Sequence, residues 1–343
     1  MKLGFRTPSS RKQSGLTLLE LLVALGLGLV VVAIAAVALT LGQQGYRAVD
    51  ATTALRERER FAADLISRVV VQAGYQDFGT AKVVLRSSAT ALGTDPEPDI
   101  FGWNNAVYKL PDDRLLSTST KITTNNRTAD CGSVTDTSCL NGSDVLVVRF
   151  QGVSTASGGA VADNTMINCQ GFGEPGLLMD DFNERAVSMF HVARGPNGEP
   201  SLYCSYYILN TGVWSDPQPV IEGVETLQVL YGTDGVSAAG VSSTAAGAQD
   251  SVADRWLRAD QLTGGNAAAT RENWRRVRSV KVGMVLRAPV GSAQQSTTAT
   301  FAPLGGLYAD SADIGSSLSV AADRRLRMVS NFTVHLRNDL SLR

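Results

Sequence analysis

From Leu16 to Leu41 the chain is apolar on every helical face, and Glu20 is the one charged side chain in the run. Residues 16–41 are enough to cross a bilayer at about 1.5 Å rise per residue. The pattern then changes without stopping. Leu55, Ala62, Leu65, Val69 and Ala73 recur at spacings of three, four or seven, while Arg56, Glu57, Arg58, Glu59 and Arg60 form a solvated band. No proline occurs between Pro8 and Pro96. The pattern therefore predicts one helix from about Leu16 to Gly74, apolar all round in its first half and amphipathic in its second, with the second half packed on a globular domain. Gly26, Gly28 and Gly42 are its weakest points, where a bend is cheapest.

Beyond Gly79 the chain reads as β-rich. Strands are predicted in DVLVVRF from Asp144, VETLQVLYG from Val224, RSVKVGMVLRAP from Arg278 and MVSNFTVHLRN from Met328, and SMFHVARGPNGEPSLYCSYYIL from Ser188 reads as a hairpin around a Pro-Asn-Gly turn. In the last strand Phe332, Val334 and Leu336 face one way while Asn331, Thr333, His335 and Arg337 face the other, which suits an antiparallel sheet with one face on the core. The polar stretches SAAGVSSTAAGAQDS from Ser237 and GSAQQSTTATFAPLGGLYADSADIGSS from Gly291 read as surface loops, and DRWLRADQL from Asp254 as a short helix in the first insertion. No internal repeat and no boundary of a second globular domain is evident.

Composition sharpens this picture in three places. The 33 glycines among many Ser, Thr and Ala residues fit β-structure with long loops better than a compact α/β enzyme. The net charge of −1 hides a basic start: Lys2, Arg6, Arg11 and Lys12 precede Gly15 with no acid among them, and without them 27 Lys and Arg face 32 Asp and Glu. A mildly acidic remainder lacks the basic footprint of a dedicated nucleic-acid binder. The four cysteines, Cys131, Cys139, Cys169 and Cys204, all follow the apolar run and contain no CxxC, so with only two histidines zinc-site spacing is absent. In an exported region they imply two disulfides. The favoured pairing is Cys131 with Cys139 and Cys169 with Cys204, out of three that four cysteines allow.

A carboxylate near the middle of a bilayer costs about 2.5 to 3.5 kcal/mol, so Glu20 needs a partner or a task. The stretch SGLTLLELLVAL from Ser14 puts Glu20 fifth in an apolar run that begins directly after a basic leader ending in glycine. This arrangement resembles the class III signal of type IV pilins and type II secretion pseudopilins. The resemblance implies that a prepilin peptidase cuts between Gly15 and Leu16 and methylates the new terminus at Leu16, and that Glu20 is an inter-subunit assembly contact. It gives Glu20 a partner in the amine created at Leu16, its own or a neighbouring subunit's, a pair that low dielectric strengthens. Leu16 stands where the family most often has Phe. The apolar helix also lacks the proline found in major pilins, which fits a minor component. The large size, LQVLYGTDG from Leu227 and the terminal RRLRMVSNFTVHLRN resemble the PilW group of minor pilins.

The organisation expected is thus a leader over 1–15, a long helix over 16–75 with a transmembrane part at 16–41 and an amphipathic part at 42–75, and a β-rich domain over 76–343. The fold class expected is α+β, type IV pilin-like, with an antiparallel sheet domain carrying long loops. Walker A, G-x-S-x-G and H-E-x-x-H sequences are all absent, and His191 and His335 read as structural or surface residues, so no enzyme, cofactor or metal is expected. The role implied is a minor pilin helping to initiate pilus assembly near the tip. Its partners would be other minor pilins, the major pilin, prepilin peptidase and the inner-membrane platform. It would sit in the inner membrane with a cytoplasmic N-terminus and a periplasmic domain, and later in the pilus at the cell surface. A J-type pseudopilin of type II secretion and an adhesin or DNA-uptake minor pilin are the alternatives.

Overall fold

The computed structural model describes residues 15, 17–77, 97–111, 114, 122–124, 140–177, 184–236, 250–293, 297–310 and 313–338. The chain divides into two compact units, Met1–Asp50 and Ala51–Arg343, and helix α1, Leu18–Val71, contributes residues to both. In the first unit the apolar side chains face outward all round the helix, with Leu18 77% and Leu29 74% exposed. The helix passes through Gly26, Gly28 and Gly42 unbroken, since the surrounding Leu, Val and Ala residues supply continuous helical backbone.

In the second unit Leu55, Ala62, Ile66, Val69 and Val70 are buried, spaced to lie along one face. The helix stops because Gly74 takes φ +73°, and its N–H donates to the Arg149 carbonyl at 3.0 Å. A Cβ there would meet the Asn338 carbonyl at 2.8 Å, so only glycine fits. The Asn338 side-chain amide in turn donates to the carbonyls of Val71 and Ala73 at 3.1 and 3.3 Å, satisfying acceptors that a helix end leaves open.

Two antiparallel sheets supply the rest of the core. The first contains β1 (Ile100–Trp103), β4 (Val145–Phe150), β5 (Ala186–Arg194), β6 (Pro200–Ile208) and β7 (Val213–Trp214) in that order, with β8 (Gln218–Glu222) also on β6. The second runs β10 (Arg255–Leu257), β9 (Val224–Thr233), β11 (Val277–Arg287), β14 (Arg327–His335). Two small pairs complete the set, β2 (Ala106–Val107) with β3 (Thr123–Thr124), and β12 (Ala299–Phe301) with β13 (Leu318–Val320). The chain leaves the first sheet for the second at Gly223, φ +86°, where a Cβ would stand 2.5 Å from the Arg287 carbonyl. One continuous core joins both sheets to the buried face of residues 55–73. The fold is α+β, a long N-terminal helix followed by antiparallel sheets.

The Pro-Asn-Gly hairpin forms between β5 and β6, closed by the Gly195 N–H donating to Glu199 O at 2.8 Å. Two readings need correction. DRWLRADQL is not a helix: its first part is β10, drawn out by pairing Arg255, Trp256 and Leu257 with Thr233, Gly232 and Tyr231, and only Ala259–Leu262 winds into a 3-10 turn. The helix of that region is α2 (Ala267–Arg275), capped by Asn266 accepting from Ala269 N–H at 2.8 Å and anchored by Trp274 against Phe101 and Tyr231. The stretch from Gly291 is also more than loop, because it holds β12, which pairs with β13 just beyond it, and two 3-10 turns. The stretch from Ser237 falls, up to residue 249, outside the described residues.

Candidate assembly segment and its supports

Thr17 and Glu20 open α1. The Glu20 N–H donates to Thr17 Oγ1 at 3.3 Å, and the Leu21 N–H to the Thr17 carbonyl at 3.1 Å, so Thr17 caps the helix and Glu20 sits third in its first turn. Thr-x-x-Glu is the residue pattern of a capping box, and a carboxylate in the first turn also opposes the positive end of the helix dipole. This signal was present in the sequence but masked by the apolar run around it. Gly15 and Glu20 are exposed, and Leu16 lies outside the described residues. Helix α1 is long and apolar enough to cross a membrane.

At the other end of α1 the contacts are polar and buried. Gln72 bonds both backbone groups of Ile167, its Nε2 donating to the carbonyl at 3.0 Å and its Oε1 accepting from the N–H at 2.8 Å. Beside it lies a charge cluster: Glu97 receives Arg149 at 3.5 Å and Arg271 at 3.4 Å, all three less than a tenth exposed, and Arg185 pairs with Asp99. Arg149 and Arg185 are among the largest fully buried side chains. Burial pulls the Arg149 guanidinium down to about 10, opposed by Glu97. Nothing local in the sequence marks these residues, because their partners come from segments more than 50 positions away.

The loop held by Gln72 is also held covalently. Cys169 and Cys204 form a disulfide with a Cα separation of 5.8 Å, linking that loop to β6. Cys131 and Cys139 lie outside the described residues. Next to the bridge, Glu174 is 5% exposed and accepts from Asn168 Nδ2 at 2.8 Å; burial raises its carboxyl to about 7 against that bond. His191 on β5 is buried in a stack with Tyr108 at 3.7 Å between ring centroids and Tyr203 at 5.7 Å, and burial lowers its pKa to about 3. It is a neutral packing residue, whereas His335 is exposed on β14. Among the described residues no group of three or more His, Cys, Asp or Glu could hold a metal ion.

Two families match this chain. The prokaryotic N-terminal methylation motif covers residues 10–36, which takes in Gly15, Leu16 and Glu20. The family described as Type IV Pilus-assembly protein W covers residues 189–338, from β5 to just past β14. A solved type IV-like pilin from Thermus thermophilus is similar at 12% identity and a TM-score of 0.35, over 83% of this chain and 97% of that one. No curated protein matches. That family is structural rather than enzymatic, and likeness to it implies interaction with other pilus components and processing by prepilin peptidase. With a methylation motif over residues 10–36 and a pilus-assembly family match over residues 189–338, the chain is similar to type IV pilin-like proteins of the PilW type.

Proposed function

We propose that this protein is a minor pilin that helps to initiate assembly of a type IV pilus, within a minor-pilin complex near the filament tip. The observation that carries the reading is the coincidence of the methylation motif over 10–36 with a capped helix beginning at Leu18 that is apolar up to Leu41 apart from Glu20. Prepilin peptidase cuts between Gly15 and Leu16, the amine at Leu16 is methylated, and Glu20 registers the helix against a neighbouring subunit through that charge. The first-turn position supports this role, since it places the carboxylate beside the new terminus rather than at mid-membrane. The leader comprises residues 1–15, the helix 16–75, and the globular domain 76–343.

The basic leader stays in the cytoplasm, the apolar helix holds the protein in the inner membrane, and the remainder stands in the periplasm until incorporation. The Cys169–Cys204 bridge suits that oxidising side. Deletion of the gene abolishes or greatly reduces surface pili, and normal piliation in the deletion contradicts the proposal. Loss of protein export with intact pili would assign the subunit to a secretion pseudopilus instead. Glu20→Ala leaves leader cleavage intact and impairs incorporation into pili; normal incorporation of that variant removes the assigned contact.

A further inference from the structure

A cavity of about 290 Å³ lies where residue 58 of α1, the β8–β9 corner and the end of β11 meet. Its floor is an ion-pair lattice. Glu199 accepts from Arg287 Nε and Nη2 at 3.1 and 2.8 Å, and from Arg325 Nη1 and Nη2 at 3.2 and 2.9 Å. Both carboxylate oxygens therefore accept, Oε2 from three donors and Oε1 from one. Burial opposes ionisation at Glu199, yet these bonds hold its pKa below the usual value. Arg287 also donates to Glu225 at 3.0 Å and Arg325 to the Ala288 carbonyl at 3.2 Å, so both guanidiniums are fixed in place.

Arg58 is different. It lines the same cavity, and no hydrogen bond or ion pair ties it to another described residue. Its Nη1 stands 3.4 Å from the point a Cβ of Gly223 would occupy, so the glycine that turns the chain between sheets also leaves room for the guanidinium. Three guanidiniums and the carboxylates of Glu199 and Glu222 line the space, an excess of one positive charge. Pro289 and Val290 add an apolar lip, Val290 being 67% exposed.

We infer that this cavity is a binding site for a single carboxylate group carried on an apolar stem. The carboxylate takes the planar N–H pair of Arg58, as guanidinium and carboxylate forks match. The stem lies on Pro289 and Val290, and the exposed Glu222 on the rim repels a second negative charge, so monocarboxylates are preferred over dianions. The group is either the acidic side chain of another subunit, which would extend the pilus-assembly reading, or a free aliphatic carboxylate, which does not depend on it.

The test titrates sodium butyrate into the full chain in detergent micelles by calorimetry, at ionic strength held constant with chloride. The expected result is saturable binding, weakened about tenfold or more in Arg58→Gln and less in Arg58→Lys, with succinate binding more weakly than butyrate. The unfolding midpoint of Arg58→Gln stays at the wild-type value, because Arg58 has no partner to lose among the described residues. A photo-crosslinking residue at Val290 in cells then separates the sources. Capture of another subunit that disappears with Arg58→Gln assigns the carboxylate to a neighbour; butyrate binding without capture assigns it to a small molecule. Absence of saturable butyrate binding, or equal binding by wild type and Arg58→Gln, overturns the proposal.

Discussion

Gln72 holds Ile167 by both of its backbone groups, donating to the carbonyl at 3.0 Å and accepting from the N–H at 2.8 Å. A side-chain amide can complete such a pair at any pH, since it presents a donor and an acceptor in one plane. Through it the last turn of α1 is tied to a loop that has little regular structure of its own. Replacing Gln72 by Ala leaves both groups of a buried residue unpaired, and is expected to cost about 2 to 3 kcal/mol. Urea unfolding measures the cost. Amide hydrogen exchange should accelerate over residues 166–174, with the strands of the second sheet unaffected.

Glu97 compensates two buried arginines at once, Arg149 and Arg271. Removing the carboxylate strands their charges in low dielectric, so Glu97→Gln is expected to destabilise the fold by about 3 to 5 kcal/mol. The reverse change, Arg271→Met, should cost less, because Arg149 and Glu97 remain paired. Comparing the two by chemical unfolding checks the claim, which requires the Glu97 variant to be the weaker.

Glu174 should make stability depend on pH in a stated direction. Its carboxyl lies near 7 when folded, raised by burial from an ordinary value of 4.5, against the Asn168 bond. Between those values the folded chain keeps a proton that the unfolded chain has released, so stability falls as pH rises through that window. Glu174→Gln, neutral at every pH, should lose that slope. Urea midpoints at about pH 5 and pH 7.5 read the difference, and the wild type alone should drop between them.

The Cys169–Cys204 bridge closes a loop of 35 positions. Restriction of the unfolded chain on that scale is worth about 2 to 4 kcal/mol. Replacement of both cysteines by Ser is expected to lower the unfolding free energy by that amount and to leave the β-strand signature in circular dichroism unchanged.

Much of this fold could be read in the chain because its periodicities are strong and local. The five strand regions read from the sequence all form strands, since Val145–Phe150, Ala186–Arg194 and their partners carry enough β-branched and aromatic residues to dominate their neighbours. The long helix was equally legible in its apolar run and in the lack of proline. What escaped depends on distant partners. Arg255–Leu257 becomes a strand only because β9 offers an edge, and Arg149 is buried in a strand only because Glu97 arrives to neutralise it. The assembly segment was visible as a motif, yet the role of Thr17 as its cap was hidden by the surrounding leucines.

The central claim is that this helix is unmasked by a cut after Gly15 and then enters a filament. Mass spectrometry of the N-terminal peptide from protein isolated from its native membrane tests this most directly. The account predicts a chain that begins at Leu16 with one methyl group on its amine. A chain that still begins at Met1, or one cut beyond Leu41, would contradict it.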